Sequence, residues 1–163
     1  MTGTLVKRAG KVAYYGVPGD SGGATAYTRM KGFTELSISK NPKEYSRQYV
    51  DEEFEQTDVV GYSPSISYGF DLYEGNAVHD DIVTITDGEK VGSDAVRTIL
   101  LVDFTSGSET EGYDAIQRDF AVIPDSEGDS MDAYTYGGSF KAKGESKTAK
   151  VTVSGDTVTI KTA

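Results

Sequence analysis

In the stretch SISYGFDLY, Ile66, Tyr68, Phe70 and Leu72 alternate with Ser67, Gly69, Asp71 and Tyr73. A period of two sends successive side chains to opposite faces of a strand, so this segment has one apolar face. Similar segments recur along the chain. They are short, rich in Thr, Val, Ile, Tyr and Phe, and punctuated by glycine, which occurs 19 times. That pattern favours β structure with tight turns.

RTILLVDF (97–104) is a more continuous apolar run and is expected to be a central strand buried on both faces. RDFAVI (118–123) and AYTYGGSFKAK (133–143) follow, the latter placing Tyr134, Tyr136, Phe140 and Ala142 on one side. In KVTVSGDTVTIK, Val151 and Val153 answer Val158 and Ile160 across Gly155-Asp156, a hairpin signal. The expected fold is mainly β, an antiparallel β-sandwich or barrel. One domain spans 1–163, with an N-terminal strand and flexible turn in 1–30. Residues 145–163 are expected to form a C-terminal hairpin, or an arm reaching a neighbour.

Two segments depart from this pattern. NAVHDDIVTITDG predicts a short flanking α-helix over about 77–87: Asn76 is placed to cap it and Asp80 and Asp81 lie in its first turns. Val78, Ile82 and Ile85 form its apolar stripe, and Gly88 supplies its stop. Residues 40–63 are polar and dense in charge, with Tyr45, Tyr49, Val50 and Phe54 as the large apolar side chains singled out. A long polar loop or hairpin reaching beyond the core fits that composition.

The chain has no cysteine, which excludes disulfides and thiolate metal sites. A formal net charge of −10 argues against a groove that holds nucleic acid and against docking on anionic membranes. No window approaches the roughly 18 apolar residues of a membrane span, and the N-terminus lacks a signal-peptide core. Folding in the cytoplasm is the expectation.

Residues 19–23 read GDSGG, the string found around serine nucleophiles. Ser21 needs a base, and the one histidine, His79, lies 58 residues downstream. Only 20 residues precede Ser21, which excludes the trypsin-like order His, Asp, Ser. The α/β-hydrolase order needs a helix after the serine, and GGATAYTRMKG has no helical stripe. The stretch reads as a turn between strands.

Three acidic clusters, Asp51-Glu52-Glu53, Asp80-Asp81 and 125–129, invite a calcium reading. The last lacks the spacing and terminal Glu of an EF-hand loop, and a solvated surface loop accounts for it. A carboxylate pair for glycoside hydrolysis needs an aromatic-lined cleft, and the chain has no Trp. His79 has no second histidine with which to share a metal and reads as a helix-surface residue. No catalytic, cofactor-binding or metal site is assigned, and no cofactor is expected.

The segments KEYSRQYVDE, GYSPSISY, D-x-Y before the short helix, GSDA, a hydrophobic strand ending VDF, then FAVI and GDSMDAYTYGGSFKAKGE occur in that order. As a set, over about 35–145, they resemble the major tail (tail tube) proteins of long-tailed, non-contractile phages. The resemblance implies a β-sandwich or barrel whose copies form hexameric rings. The rings stack around a tape-measure protein, between tail-terminator and distal-tail proteins, into a conduit for DNA. It implies assembly in the host cytoplasm, a final place in the virion tail and no membrane insertion. An acidic tube wall would let DNA slide without sticking.

Within that reading the 41–58 segment, with Tyr45, Arg47, Tyr49, Glu52 and Phe54, is expected to make the stacking or ring contact. An ordinary exposed hairpin is the alternative. Glu35 and Asp71 are the expected lumen-facing acids. Two other functions share the strand pattern: a ring-forming baseplate component and an immunoglobulin-like binding module.

Overall fold

The computed structural model describes residues 3–19 and 24–161. Strands β1 (Lys11–Val17), β2 (Ala26–Arg29), β3 (Phe33–Ser39), β4 (Pro42–Arg47), β5 (Gln56–Tyr62) and β6 (Ser65–Asp71) precede helix α1 (Ala77–Asp87). After it come β7 (Val96–Ser108), β8 (Gly112–Glu127), β9 (Thr135–Ala142), β10 (Lys147–Ser154) and β11 (Thr157–Ile160). The fold is mostly β, as expected, with the helix over 77–87 and a hairpin, β4–β5, within 40–63.

Strands β10, β11, β2, β1, β7 and β8 lie side by side, and β8 pairs back onto β10 to close a six-stranded antiparallel barrel. Closure leaves the six barrel strands without a free edge at the β10 end, and the sheet's remaining edge lies at β3. The barrel interior is filled by Val12, Tyr14, Leu100, Val102, Ala115, Val151 and Val158. The C-terminal hairpin therefore forms two barrel staves. The alternative of an arm reaching a neighbour is corrected, because burial of Val151 and Val158 holds both strands to the body. Its register is the expected one, Val151 opposite Ile160 and Val153 opposite Val158.

β8 is long enough to serve two partners on one edge. Its first half pairs with β10 and its second half with β9, while β7 runs along the other edge. From β9 the sheet continues through β6 to β3. This extension packs a second core against the outer face of the barrel. Tyr15, Ile66, Tyr68, Phe70, Ile99, Phe120 and Phe140 meet there with the Val78, Ile82 and Ile85 stripe of α1. Alternation along β1 and β7 divides their residues between the cores: Tyr14 and Leu100 point into the barrel, Tyr15 and Ile99 out of it. This is why 97–104 reads as a nearly unbroken apolar run. Tyr136, Phe140 and Ala142 share the second core, but Tyr134 precedes β9 and is exposed, correcting its assignment to that face.

Asn76 caps α1 as expected, its side chain accepting hydrogen bonds from the backbone N–H groups of Val78 and His79. Gly88 ends the helix without a left-handed turn (φ −81°), and the positive φ falls on Glu89 (48°). A Cβ at Gly88 would lie 2.9 Å from the Thr84 carbonyl oxygen, so close packing requires the glycine there.

His79 is fully buried, not on the helix surface as the sequence suggested. Its ring stacks on Phe70 at 4.3 Å. The Tyr73 backbone N–H donates to Nδ1 (3.2 Å), which leaves Nε2–H to donate to the Lys31 carbonyl (2.7 Å). Gly32, with φ 78°, passes so close that a Cβ would sit 2.8 Å from His79 Cε1. These contacts satisfy a neutral imidazole and have no place for a second ring proton. Burial pushes the pKa of His79 down, against the opposing influence of the Lys31 hydrogen bond and of Asp80 and Asp71.

Asp81 makes a second polar tie between helix and barrel. Its Oδ2 accepts from the Tyr15 hydroxyl (2.5 Å) and from Arg97 Nε (2.8 Å). Burial, followed by the charge of Asp81, keeps the Tyr15 hydroxyl protonated by raising its pKa.

Two outcomes are expected. Below the ordinary histidine pKa of 6.5 the unfolded chain takes up a proton that the folded chain refuses. Stability should therefore be complete above that pH and fall toward pH 5, by up to about 1.4 kcal/mol per pH unit. Denaturant melts of the wild type and His79→Gln across this window check it: the variant should lose that slope. Asp81→Asn should cost about 2 kcal/mol, because Arg97 loses its counter-charge in a half-buried site. Urea unfolding of D81N beside Tyr15→Phe measures it, Y15F being the milder change.

Candidate assembly surface

The β4–β5 hairpin pairs only with itself among the described residues, forming a separate two-stranded sheet. It leaves the body at Asn41, whose φ of 45° turns the chain and whose side chain donates to the Ser63 carbonyl (3.0 Å). Ser63 N–H in turn donates to the carbonyls of Lys40 and Asn41, which clamps the base. An isolated hairpin is marginal in water, so its internal contacts carry its shape.

Those contacts centre on Arg47. Its guanidinium lies over the rings of Tyr45 (5.1 Å) and Tyr49 (5.8 Å), pairs with Asp58 and reaches the Tyr49 hydroxyl (3.4 Å). The hydrogen bonds to Tyr49 and then Asp58 raise its pKa further. Ser46 and Thr57 hydrogen-bond across the strands at 2.9 Å. The tip is folded back by Glu52 N–H donating to the Tyr49 carbonyl (3.0 Å) and by Gln48 Nε2 donating to the Glu52 carbonyl (3.1 Å).

Of the expected contact residues, the structure brings Tyr45, Arg47 and Tyr49 into one cluster and puts Glu52 and Phe54 at the tip. Arg47 is already partnered within its own hairpin. The exposed apolar surface is larger than the sequence suggested. Val50 and Phe54 are exposed at 108% and 79%, and Val59, Val60 and Tyr62 add to them along β5. The adjacent pair Val59-Val60 breaks strict alternation because Val60 is the extra residue of a bulge in β5, opposite Lys43 and Glu44. That irregularity is the one sequence signal that marked them.

A second surface lies on the outward face of β3, β6 and β9. Register puts Glu35 beside Gly69, Ser37 beside Ser67, and Asp71 beside Thr135. Tyr68 and Phe70 point the other way, into the core. Glu35 is exposed and Asp71 half-buried, and Asp125 and Asp129 line a shallow depression with Glu35 on the same side. The result is a face of short polar side chains edged by carboxylates, with one lysine, Lys141 of β9, beside Ser65. β3, at its rim, ends the sheet with an edge that pairs with no further strand among the described residues.

The remaining candidate chemistry is dispersed. Ser21 lies outside the described residues. Both ring nitrogens of His79 are engaged in the core, leaving none to offer a serine. Asp81 is committed to Tyr15 and Arg97, and 125–127 close strand β8 instead of forming a loop. Among the described residues no helix is long and apolar enough to cross a membrane. Compared with known proteins, the chain matches no family model and no curated sequence.

Proposed function

We propose that this chain is the subunit of a phage-type tail tube: copies join into hexameric rings, and rings stack into a conduit for DNA. The observation that carries this reading is the β4–β5 hairpin. It stands off a closed barrel with Tyr45, Val50, Phe54, Val59, Val60 and Tyr62 exposed, and no other strand pairs with it among the described residues. An apolar projection of this kind, exposed on both faces and at the tip, is a liability on a monomer and an asset on a self-assembling subunit. Heterologous contacts that close give rings, and the same logic along an axis gives a filament.

The acidic, small-residue face of β3, β6 and β9 supports the conduit. With Glu35 and Asp71 turned toward a lumen, a wall of carboxylates and hydroxyls would repel phosphate, Lys141 beside Ser65 being the cation that the register puts on this face. The free edge of β3 is available for joining that sheet to the next subunit's. In this role the partners are further copies of the chain, a tape-measure protein inside the tube, and terminator and distal-tail proteins at its ends. Assembly takes place in the host cytoplasm and ends in the virion tail. The subunit does no catalysis and needs no cofactor.

Negative-stain electron microscopy of the concentrated protein tests the reading. Tubes with a central channel are the expected result. Isolated rings would replace it with the baseplate component, and monodisperse monomers at every concentration would overturn assembly altogether. Arg47→Glu should abolish tubes while leaving the thermal midpoint of the body unchanged, since the hairpin shares no ladder with the barrel. Tubes of wild-type yield from R47E would remove the hairpin from the contact.

A further inference from the structure

The second core is closed at one end by α1 and open at the other. At the open end Ile38 and Lys40 of β3 and its following residue face the outer side of β7, β8 and β10 across a groove of about 650 Å³. Its apolar floor is Leu101 and Ile116, continued inward by Ile66, Ile99 and Phe120 through a narrower neck. Ile38 and Ile116 are each more than two-fifths exposed, so nothing in the chain's own described residues covers them.

The rim of this groove carries two lysines and two aspartates: Lys11 lies opposite Asp103, and Lys40 makes no salt bridge among the described residues. Lys11 and Lys40 line it, and Arg118 reaches the neck with its Nε buried and without a hydrogen-bond partner among the described residues. Of the two carboxylates present, Asp114 is paired with Lys150 at 2.6 Å. Asp103 is engaged by the Thr105 backbone N–H at 2.9 Å. Hydrogen bonds to Thr105 and to Lys150 hold Asp103 and Asp114, respectively, below the usual carboxylate range.

The hairpin tip is the chemical complement. Residues 48–55 carry Asp51, Glu52, Glu53 and Glu55 with no Lys or Arg, and present Val50 and Phe54 to solvent. The hairpin springs from the groove's own margin, next to Lys40 and Pro64, and its six to seven residues per strand carry the tip about 20 Å away. A chain's tip is thus remote from its own groove and must find another's.

We propose that the groove is the socket for the hairpin tip of a second copy. Phe54 and Val50 enter against Ile38, Leu101 and Ile116, and the tip carboxylates meet Lys11, Lys40 and Arg118. The contact is heterologous, tip to groove, so each copy offers one plug and one socket and the assembly propagates. The inference rests on the self-assembly reading and supplies its receptor surface.

The absence of cysteine makes the test clean. Phe54→Cys and Ile116→Cys proteins, carrying tags of different size, are mixed under mild oxidation, with Phe54→Cys plus Glu74→Cys as the control pair. The expected result is a mixed disulfide between F54C and I116C well above the control. Lys40→Glu in the I116C protein should lower the yield roughly three- to fivefold, and Glu52→Lys in the F54C protein should restore it. A yield no higher than the control, or a K40E loss that E52K fails to rescue, overturns the socket. Wild-type particles imaged in parallel separate the two readings. Tubes without the crosslink leave the tube and remove the socket; the crosslink with only small finite oligomers keeps the socket and removes the tube.

Discussion

The β7–β8 ladder is the pairing on which both cores depend. Along Val96–Val102 and Ala115–Val122 alternate residues serve the barrel interior and the second core, while Asp114, Ile116 and Asp119 stay exposed. Leu100 and Val102 fill the barrel while Ile99 and Leu101 serve the other side. A slip of one residue would exchange the two sets and expose Arg118 and Asp119 to the wrong environments, so the register is strongly specified. The length of β8 follows from the same role: one half closes the barrel onto β10 and the other starts the extension through β9.

Helix α1 is held by apolar and polar contacts that reinforce one another. Its stripe of Val78, Ile82 and Ile85 is buried among Tyr68, Phe70 and Phe140, and its polar residues are not left idle. His79 bridges the loops at Lys31 and Tyr73, and Asp81 reaches Tyr15 and Arg97 on β1 and β7. A helix that merely covered a sheet face would be free to slide along it. These directional bonds fix its position, and Gly32 lets the backbone come close enough for the histidine to be reached.

Local patterns were legible wherever the determining neighbours lie close in sequence. The alternation in 65–73, the capped stripe of α1 and the Gly155-Asp156 turn each encode their own geometry within a dozen residues. His79 was not legible because its partners arrive from elsewhere. Lys31 is 48 residues away, and an imidazole one position off an apolar stripe has no sequence mark that distinguishes a core from a solvent setting. Barrel closure was equally hidden, since the β8–β10 and β11–β2 ladders join distant segments whose strands look like any others. At the candidate surface, the aromatics and charges of 41–58 marked the hairpin. The engagement of Arg47 with its own tyrosines and Asp58, and the groove that gathers Ile38, Leu101 and Ile116 from three segments, needed the tertiary structure.

The arrangement separates what folds the chain from what it shows to neighbours. The barrel closes on itself and α1 closes one end of the second core, so the buried large side chains of both are covered within the chain. The hairpin, the β3 edge and the groove lie together at the margin of that closed body. Contacts made there add free energy to association without being drawn from folding, and their loss leaves a folded monomer. Under the proposed tube reading, in which subunits accumulate before they polymerise, that division would have a direct physical use. Repulsion between chains of net charge −10 opposes spontaneous association, and the proposed contact of the acidic tip with Lys40 and Arg118 would reverse the sign of that repulsion locally. Orientation is then selected by charge before the apolar side chains are committed.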